Sequence, residues 1–428
     1  MDPISERLKA RHPQRIDLSL GRMQALCAAL GNPQDHLPPV IHVAGTNGKG
    51  STVSLIRAIA EAAGLKVHTY TSPHLVRFNE RIRLAGKLIS DDQLNEILDR
   101  VEAAMAQTGG EATVFESTTA AGFLAMAETP ADLAIIEVGL GGVLDATNVI
   151  GRPLLSVITP VDLDHAEFLG TDLAGIAREK AGILKAGARG IIARQSETAM
   201  AQIEQRAAEV GSPLTVAGVD FDSFSERGGL AYQDQIRFLD LPAPALSGHH
   251  QFDNAGVAIA AALELDLPEE AIAQGLKSVF WPARMQRLTA GPYAAQARAV
   301  DAELWLDGGH NPHAARALAR VLADRQSRAP RPTAMIVGML GNKDAGGFFE
   351  ALKGIETKIF TVPFEGACAD PEALAAVARG RGFGALATAS IDEAMQRAIA
   401  LGAGRIVICG SLYMAGEVLG ASPETWPV

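Results

Sequence analysis

The residues best spaced for chemistry are Gly45, Thr46, Asn47, Gly48, Lys49, Gly50 and Ser51, between an apolar run at 40–44 and a helical pattern at 51–63. Glycines let backbone N–H groups turn inward around phosphate oxygens, and the following helix N-terminus adds its dipole. Lys49 brings a full positive charge, and the Ser51 hydroxyl suits Mg²⁺. The strand–loop–helix order is what gives such a motif weight. The loop departs from the commonest phosphate-loop pattern: Val43 stands where that pattern has its first glycine, and Gly50 separates Lys49 from the hydroxyl residue. A guanine-reading Asn-Lys-x-Asp should follow in a GTPase. The nearest match, Asn342-Lys343-Asp344-Ala345, ends in alanine, which favours ATP.

The elements that must position this loop read as α/β. Residues 40–44, 132–137 and 154–159 are apolar runs of strand length, and helical periodicity lies between them. Ser90-Asp91-Asp92-Gln93 resembles a capping box that opens a helix through Met105. Such alternation predicts a mostly parallel sheet covered on both faces. Residues 214–241 are polar and turn-rich and predict a small antiparallel element. Helical patterns follow at 250–265 and 268–279. A second α/β series begins near residue 290, with strands at 304–306, 334–337, 358–362 and 405–409 and a helix over 314–323. The basic, proline-bearing stretch 325–332 reads as a loop. The expected division is an ATP-binding domain over 1–287 and a smaller Rossmann-like domain over 288–428.

Composition narrows the function. The 428 residues are 48% hydrophobic and 20% charged, which suffices for a sizeable core. A net charge of -11 argues against a nucleic-acid polymer as partner. Cys27, Cys368 and Cys409 are far apart, without zinc spacing. The first residues lack the apolar run of a signal peptide, and no stretch is apolar for long enough to span a bilayer. The expectation is a cytoplasmic protein with no membrane partner.

Several further motifs follow the loop in order: Thr71-Ser72-Pro73-His74-Leu75, Glu137-Val138-Gly139-Leu140-Gly141-Gly142, Leu144-Asp145-Ala146-Thr147-Asn148, Asp164-His165, Glu179-Lys180-Ala181-Gly182-Ile183 and Asp307-Gly308-Gly309-His310-Asn311-Pro312. With the loop, they resemble the folylpolyglutamate synthase/dihydrofolate synthase family, relatives of the Mur peptidoglycan ligases, from about Ile16 to Met414. The resemblance implies a Mur ligase-like fold: an N-terminal phosphate-loop domain with a small added sheet, and a smaller C-terminal α/β domain. It implies ligation of L-glutamate to dihydropteroate and to reduced folates through an acyl phosphate. ATP is the co-substrate, Mg²⁺ the cofactor as a pair of ions, and the active form a monomer.

The resemblance also assigns residues. Ser72, Glu137, His165 and Lys180 match the metal positions, with Lys180 carbamylated by CO₂. Lys49, Lys180 and His165 are the expected catalytic set. Glu137 ends an apolar strand, where open α/β sheets place ligands. Imidazole is not a hard oxygen donor, so His165 rests on the resemblance. Lys180 needs a depressed pKa to be neutral enough for CO₂. Asn254 matches an adenine-side residue, Arg284 a phosphate-binding arginine, Asp307 an ATP-binding aspartate, and His310 the glutamate or phosphate side. The pterin is expected at Ile16, Asp17, Leu18, Phe115, Glu116, Leu144, Asp145 and Ala146. Ile16-Asp17-Leu18 points to a bifunctional, dihydropteroate-using member. The family usually has Arg at Val143 and Gly at Ala283. A Mur-type peptidoglycan ligase and a non-enzymatic ATP-binding switch module are the alternatives. The Thr71–Leu75 and Ile16–Leu18 segments argue against the first.

Overall fold

The computed structural model describes residues 2–11, 19–109, 112–164 and 166–427. Ile16, Asp17, Leu18 and His165 lie outside the described residues. The described chain forms two compact units, residues 1–245 with 251–280 and residues 246–250 with 281–428. No helix among the described residues is long and apolar enough to cross a membrane.

The first unit is built on an eight-stranded sheet. Its strands are β1 (Val40–Ala44), β2 (Val67–Tyr70), β3 (Ile82–Leu84), β4 (Lys87–Leu88), β5 (Leu133–Glu137), β6 (Leu155–Ile158), β7 (Arg189–Ile192) and β8 (Leu214–Val216). The order is β4-β3-β2-β5-β1-β6-β7-β8. The pairs from β2 through β8 are parallel, and β3 and β4 add an antiparallel edge. β1 and β5 are buried along their whole length, the burial expected of apolar runs in a two-sided parallel sheet. β1 lies between β5 and β6 although the chain goes from β1 to β2, so the strand order reverses there. Open α/β sheets bind ligands beyond strand C-termini at such a reversal.

Residues 214–241 correct the expectation in part. Leu214–Val216 is the parallel edge strand β8 of the main sheet. Three residues are too few to show a period, so pairing with β7 decides their place. The antiparallel element is the meander β9 (Phe221–Glu226), β10 (Gly229–Asp234) and β11 (Phe238–Pro242). It buries Phe221, Leu230, Tyr232, Leu239 and Leu241.

The second unit carries β12 (Gln286–Leu288), β13 (Glu303–Leu306), β14 (Thr333–Val337), β15 (Thr357–Thr361), β16 (Gly384–Ala387) and β17 (Arg405–Cys409), in the order β12-β13-β17-β14-β15-β16. All its pairs are parallel except β12 with β13. Its core includes Trp305, Leu318, Leu322, Met335, Val337, Phe348, Phe349, Ile359 and Val407. The stretch 325–332, read as a loop, begins as helix. The helix Pro312–Arg328 runs on to Arg328 before Pro330 and Pro332 prevent its continuation. Arg325 and Arg328 suit a helix C-terminus, where the dipole favours cations. Arg325 also stacks on Trp305, its guanidinium carbon 3.6 Å from the ring centre. The helix after the phosphate loop starts at Lys49, and the helix Asp91–Gln107 is capped by Ser90, whose side chain accepts from the Gln93 N–H.

Candidate active site

The loop at residues 45–51 leaves the end of β1 and enters the helix Lys49–Ala62. Two of its N–H groups do not face a ligand. Thr46 N and Asn47 N donate to the Pro160 carbonyl at 3.0 and 3.3 Å, and Thr46 Oγ1 exchanges hydrogen bonds with the Asp162 backbone. The donors left for phosphate are those at the N-terminus of the helix, whose first N–H groups have no intrahelical acceptor. Gly48 has φ +88°, and a Cβ there would lie 2.6 Å from Asn254 Oδ1. Asn254 therefore packs on the loop backbone itself. It donates to Gln251 Oε1 at 3.0 Å, and Gln251 Nε2 reaches Ser51 Oγ at 3.4 Å. Gln251, fully buried, was not singled out in the sequence; its i,i+3 spacing from Asn254 on one helix face was the available signal.

Two lysines converge on one carbonyl. Lys49 Nζ donates to Gly45 O at 3.0 Å and to Thr46 O at 3.2 Å, and Lys180 Nζ donates to Gly45 O at 3.0 Å. Lys180, near the end of the helix Leu173–Ala181, is only 5% exposed. Burial, and next the charge of Lys49, bring its ammonium down to about 7, against the opposing pull of Asp164, Asp145 and Glu179. A neutral amine is thus accessible near neutral pH, as carbamylation requires.

Glu137 ends β5 beside Val43 of β1 and is 4% exposed. Its Oε2 accepts from the Ser72 N–H at 3.3 Å. Thus Ser72 and Glu137 meet, and Lys180 lies against the loop that follows β1, the strand beside β5. Among the described residues no three His, Cys, Asp or Glu side chains are grouped to hold a metal ion. The donor set for Mg²⁺ is of another kind. Glu137 is a hard carboxylate, Ser51 and Ser72 carry hydroxyls, and a Lys180 carbamate would add oxygens. These fit an ion that prefers oxygen and keeps several waters. Glu179 Oε2, buried without a hydrogen-bond partner, adds negative charge near Lys180.

The expected pterin residues separate into two kinds. The half-buried Phe115 ring packs on Gly139, where a Cβ would come within 2.3 Å of Cζ. Leu144 is exposed beside Val143, and Ala146 is buried. Glu116 and Asp145 are turned to the protein. Glu116 closes a capping box with Thr113 and pairs with Arg22 at 3.0 Å. Asp145 accepts from Leu140 N at 2.8 Å and Thr147 N at 3.0 Å, and from the Thr147 hydroxyl. Burial pushes its carboxyl up against these bonds. The Thr147 hydroxyl is 2.9 Å from His42 Nε2, in the middle of β1. Since that hydroxyl donates to Asp145, His42 carries its proton on Nε2.

Burial, then the charge of Lys185, lower the His42 imidazole to about 3. His250 falls to about 4 through burial, then through Arg284, His313 and His249. Both histidines fold neutral, so between these values and about 6.5 the unfolded chain binds more protons. Their stabilisation is complete above about 6.5 and fades as pH falls, by about 1.4 kcal/mol per pH unit for each. Urea unfolding at pH 7.5 and 5 measures this. His42→Gln should reduce the pH dependence by one proton; an unaltered dependence would show that His42 does not fold neutral.

In the second unit, Asp307 follows β13, and its oxygens accept from Met285 N at 2.9 Å and Gly309 N at 2.8 Å. Arg284 Nη1 donates to Ala283 O at 2.9 Å, and His310 Nδ1 is 3.0 Å from Gly308 O. Ala283 has φ +53°, a left-handed conformation that costs a side chain about 1–2 kcal/mol and glycine almost nothing.

Comparison with known proteins places these features in one family. Residues 43–262 match the Mur ligase middle domain, and residues 293–412 the Mur ligase glutamate ligase domain. The chain is 34% identical to the dihydrofolate synthase/folylpolyglutamate synthase of Mycobacterium tuberculosis, across 98% of this chain and 94% of that one. It superimposes on Escherichia coli FolC in complex with DHPP and ADP with a TM-score of 0.86, at 32% identity, covering 96% of this chain and 95% of that one. The bifunctional folylpolyglutamate synthase/dihydrofolate synthase of Yersinia pestis, complexed with AMPPNP and Mn, gives 0.85 at 32% identity, covering 98% and 97%. On these likenesses, which run over nearly its whole length, the chain belongs to the folylpolyglutamate synthase/dihydrofolate synthase family of Mur-type ATP-dependent ligases.

Proposed function

We propose that the protein joins L-glutamate to dihydropteroate, and to the γ-carboxyl of reduced folates, in reactions driven by ATP. The observation that carries this reading is the convergence of Lys49 and Lys180 on the Gly45 carbonyl, beside a buried carboxylate at the sheet's reversal point. The carboxylate oxygen of the acceptor attacks the γ-phosphorus of ATP and expels ADP, leaving an acyl phosphate. The amine nitrogen of glutamate then attacks the acyl carbon, the C–O bond to phosphate breaks, and phosphate leaves as the amide forms.

The protein's part is positioning and charge. Lys49 exchanges its loop carbonyls for phosphate oxygens. Ser51, Ser72, Glu137 and carbamylated Lys180, together with His165, would hold Mg²⁺, which screens the charge that gathers on the transferring phosphoryl group. Arg284 is assigned to phosphate from the sequence resemblance. Asn254, packed on Gly48, and Asp307 belong to the nucleotide side, and Phe115, Leu144 and Ala146 to the pterin. Ile16, Asp17 and Leu18 are assigned to dihydropteroate from the sequence alone. The partners are small molecules, with the chain working as a monomer in the cytoplasm.

Phosphate release from ATP tests this, with dihydropteroate and tetrahydrofolate supplied separately. Release should need glutamate with either acceptor. Release with a UDP-muramyl acceptor and neither folate would overturn the reading. So would ATP binding with no glutamate-dependent release.

A further inference from the structure

Arg284 is flanked by two residues in a conformation that side chains avoid. Ala283 has φ +53° and Met285 φ +41°, and neither is glycine. Such residues persist only where their surroundings over-determine them. Four hydrogen bonds do so here. Met285 N donates to Asp307 Oδ2 at 2.9 Å, and Gly308 N to Ala283 O at 2.8 Å. Ala283 N donates to Gln286 Oε1 at 2.9 Å, and Arg284 Nη1 returns to Ala283 O at 2.9 Å. The second Asp307 oxygen holds Gly309 N at 2.8 Å, which fixes the carboxylate. Gly308 completes the mould. A Cβ there would lie 3.0 Å from Arg284 Nη1 and 2.3 Å from Leu412 Cδ2. The sequence Asp307-Gly308-Gly309 thus has the form of a socket for the turn that carries Arg284.

We propose that Asp307 is a positioning residue that acts on the nucleotide through Arg284, by clamping the left-handed turn at residues 283–285. The proposal rests on the reading of Arg284 as a phosphate contact. An aspartate suits the clamp because both its oxygens accept. Asparagine has the same shape but must turn an NH₂ group towards one of the two backbone N–H donors. The turn then loses one anchor, and Arg284 its fixed origin. A guanidinium recognises phosphate through a planar fork, so a shifted backbone removes more than charge.

The test is a double-mutant cycle on the full chain. Asp307→Asn, Arg284→Gln and the pair are compared by AMPPNP affinity and by the KM for ATP in ligation. Asp307→Asn should weaken both about tenfold with Arg284 present, and less than about twofold once Arg284 is Gln. Ala283→Gly, which relieves one left-handed residue, should recover part of the loss. Equal losses in both backgrounds would make Asp307 an independent contact and overturn the proposal. So would an Arg284→Gln variant with unaltered nucleotide affinity. Should Asp307→Asn fail to fold, Asp307→Glu, with both acceptors on a longer arm, is measured by the same criteria. Absence of ligation with any folate would sink the ligase reading alone, because AMPPNP affinity reports the coupling without turnover.

Discussion

Lys180→Met should lower ligase turnover by about 10²–10³-fold, the usual size of one preorganised electrostatic contact, and make the protein more stable at the same time. The two effects have one origin. The Lys180 amine is buried, and its charge shares the Gly45 carbonyl with Lys49. Its ammonium therefore falls from the ordinary 10.5 to about 7. For a base whose folded value is depressed, the unfolded chain binds more protons between the two values, so stability is complete above the unfolded value and is lost as pH falls through that window towards the folded one. Below about 7 both states are charged, and the folded state carries the full penalty. Every tenfold loss of proton affinity on folding costs about 1.4 kcal/mol, so removing the amine should stabilise the metal-free, CO₂-free protein at pH 7 by a few kcal/mol. Thermal melts in degassed buffer give the stability, and ADP release gives the turnover. Lys180→Arg separates charge from carbamate, since it keeps the cation and cannot take up CO₂; it should lose turnover without gaining stability. Labelled bicarbonate should give a carbamate carbon resonance in the wild type only. Turnover of Lys180→Met within tenfold of wild type, or a lower Tm, would refute the account.

Much of this site could be read before any coordinates, because it sits where long, regular elements end. The run 40–44 is apolar in all but His42, and the glycine loop follows it directly. Glu137 closes a similar run, and strand C-termini in such sheets have a known use. What escaped the sequence is tertiary in kind. That Lys49 and Lys180 share one carbonyl depends on the register of a helix that begins at Leu173. That Thr46 and Asn47 donate to Pro160 depends on β6 lying beside β1, a pairing between segments far apart in the chain. Asp145 and Glu116 carry the right chemistry for a pterin, yet their oxygens are bound by nearby backbone and side-chain donors, which local pattern does not reveal. Short β8 was misjudged because a three-residue strand has no periodicity of its own. The departure at Ala283 was legible in the sequence, but its left-handed φ was not.

Gly45→Ala should be a severely damaging small substitution in the first unit. Gly45 has φ +144°, a conformation that L side chains rarely adopt. An added Cβ would lie 1.9 Å from Thr159 Oγ1 and 3.0 Å from both Thr159 Cβ and Thr159 O. The neighbour cannot simply swing away, because Thr159 N is tied to Ala44 O at 2.8 Å at the end of β6. Strain of this kind in a packed interior costs about 1–3 kcal/mol, and the left-handed penalty adds about 1–2 kcal/mol more. The loop should move to escape it, taking with it the Gly45 carbonyl that receives both lysines. Nucleotide affinity should then fall by at least about tenfold, the equivalent of only ~1.4 kcal/mol, even where the variant still folds. Thr159→Ala divides the two causes, since it removes Oγ1 but leaves the backbone oxygen and the dihedral in place. The double variant Gly45→Ala/Thr159→Ala should regain part of the stability and little of the AMPPNP affinity. If affinity returned along with stability, the steric contact alone would account for the loss, and the placement of the Gly45 carbonyl would not be what the two lysines require.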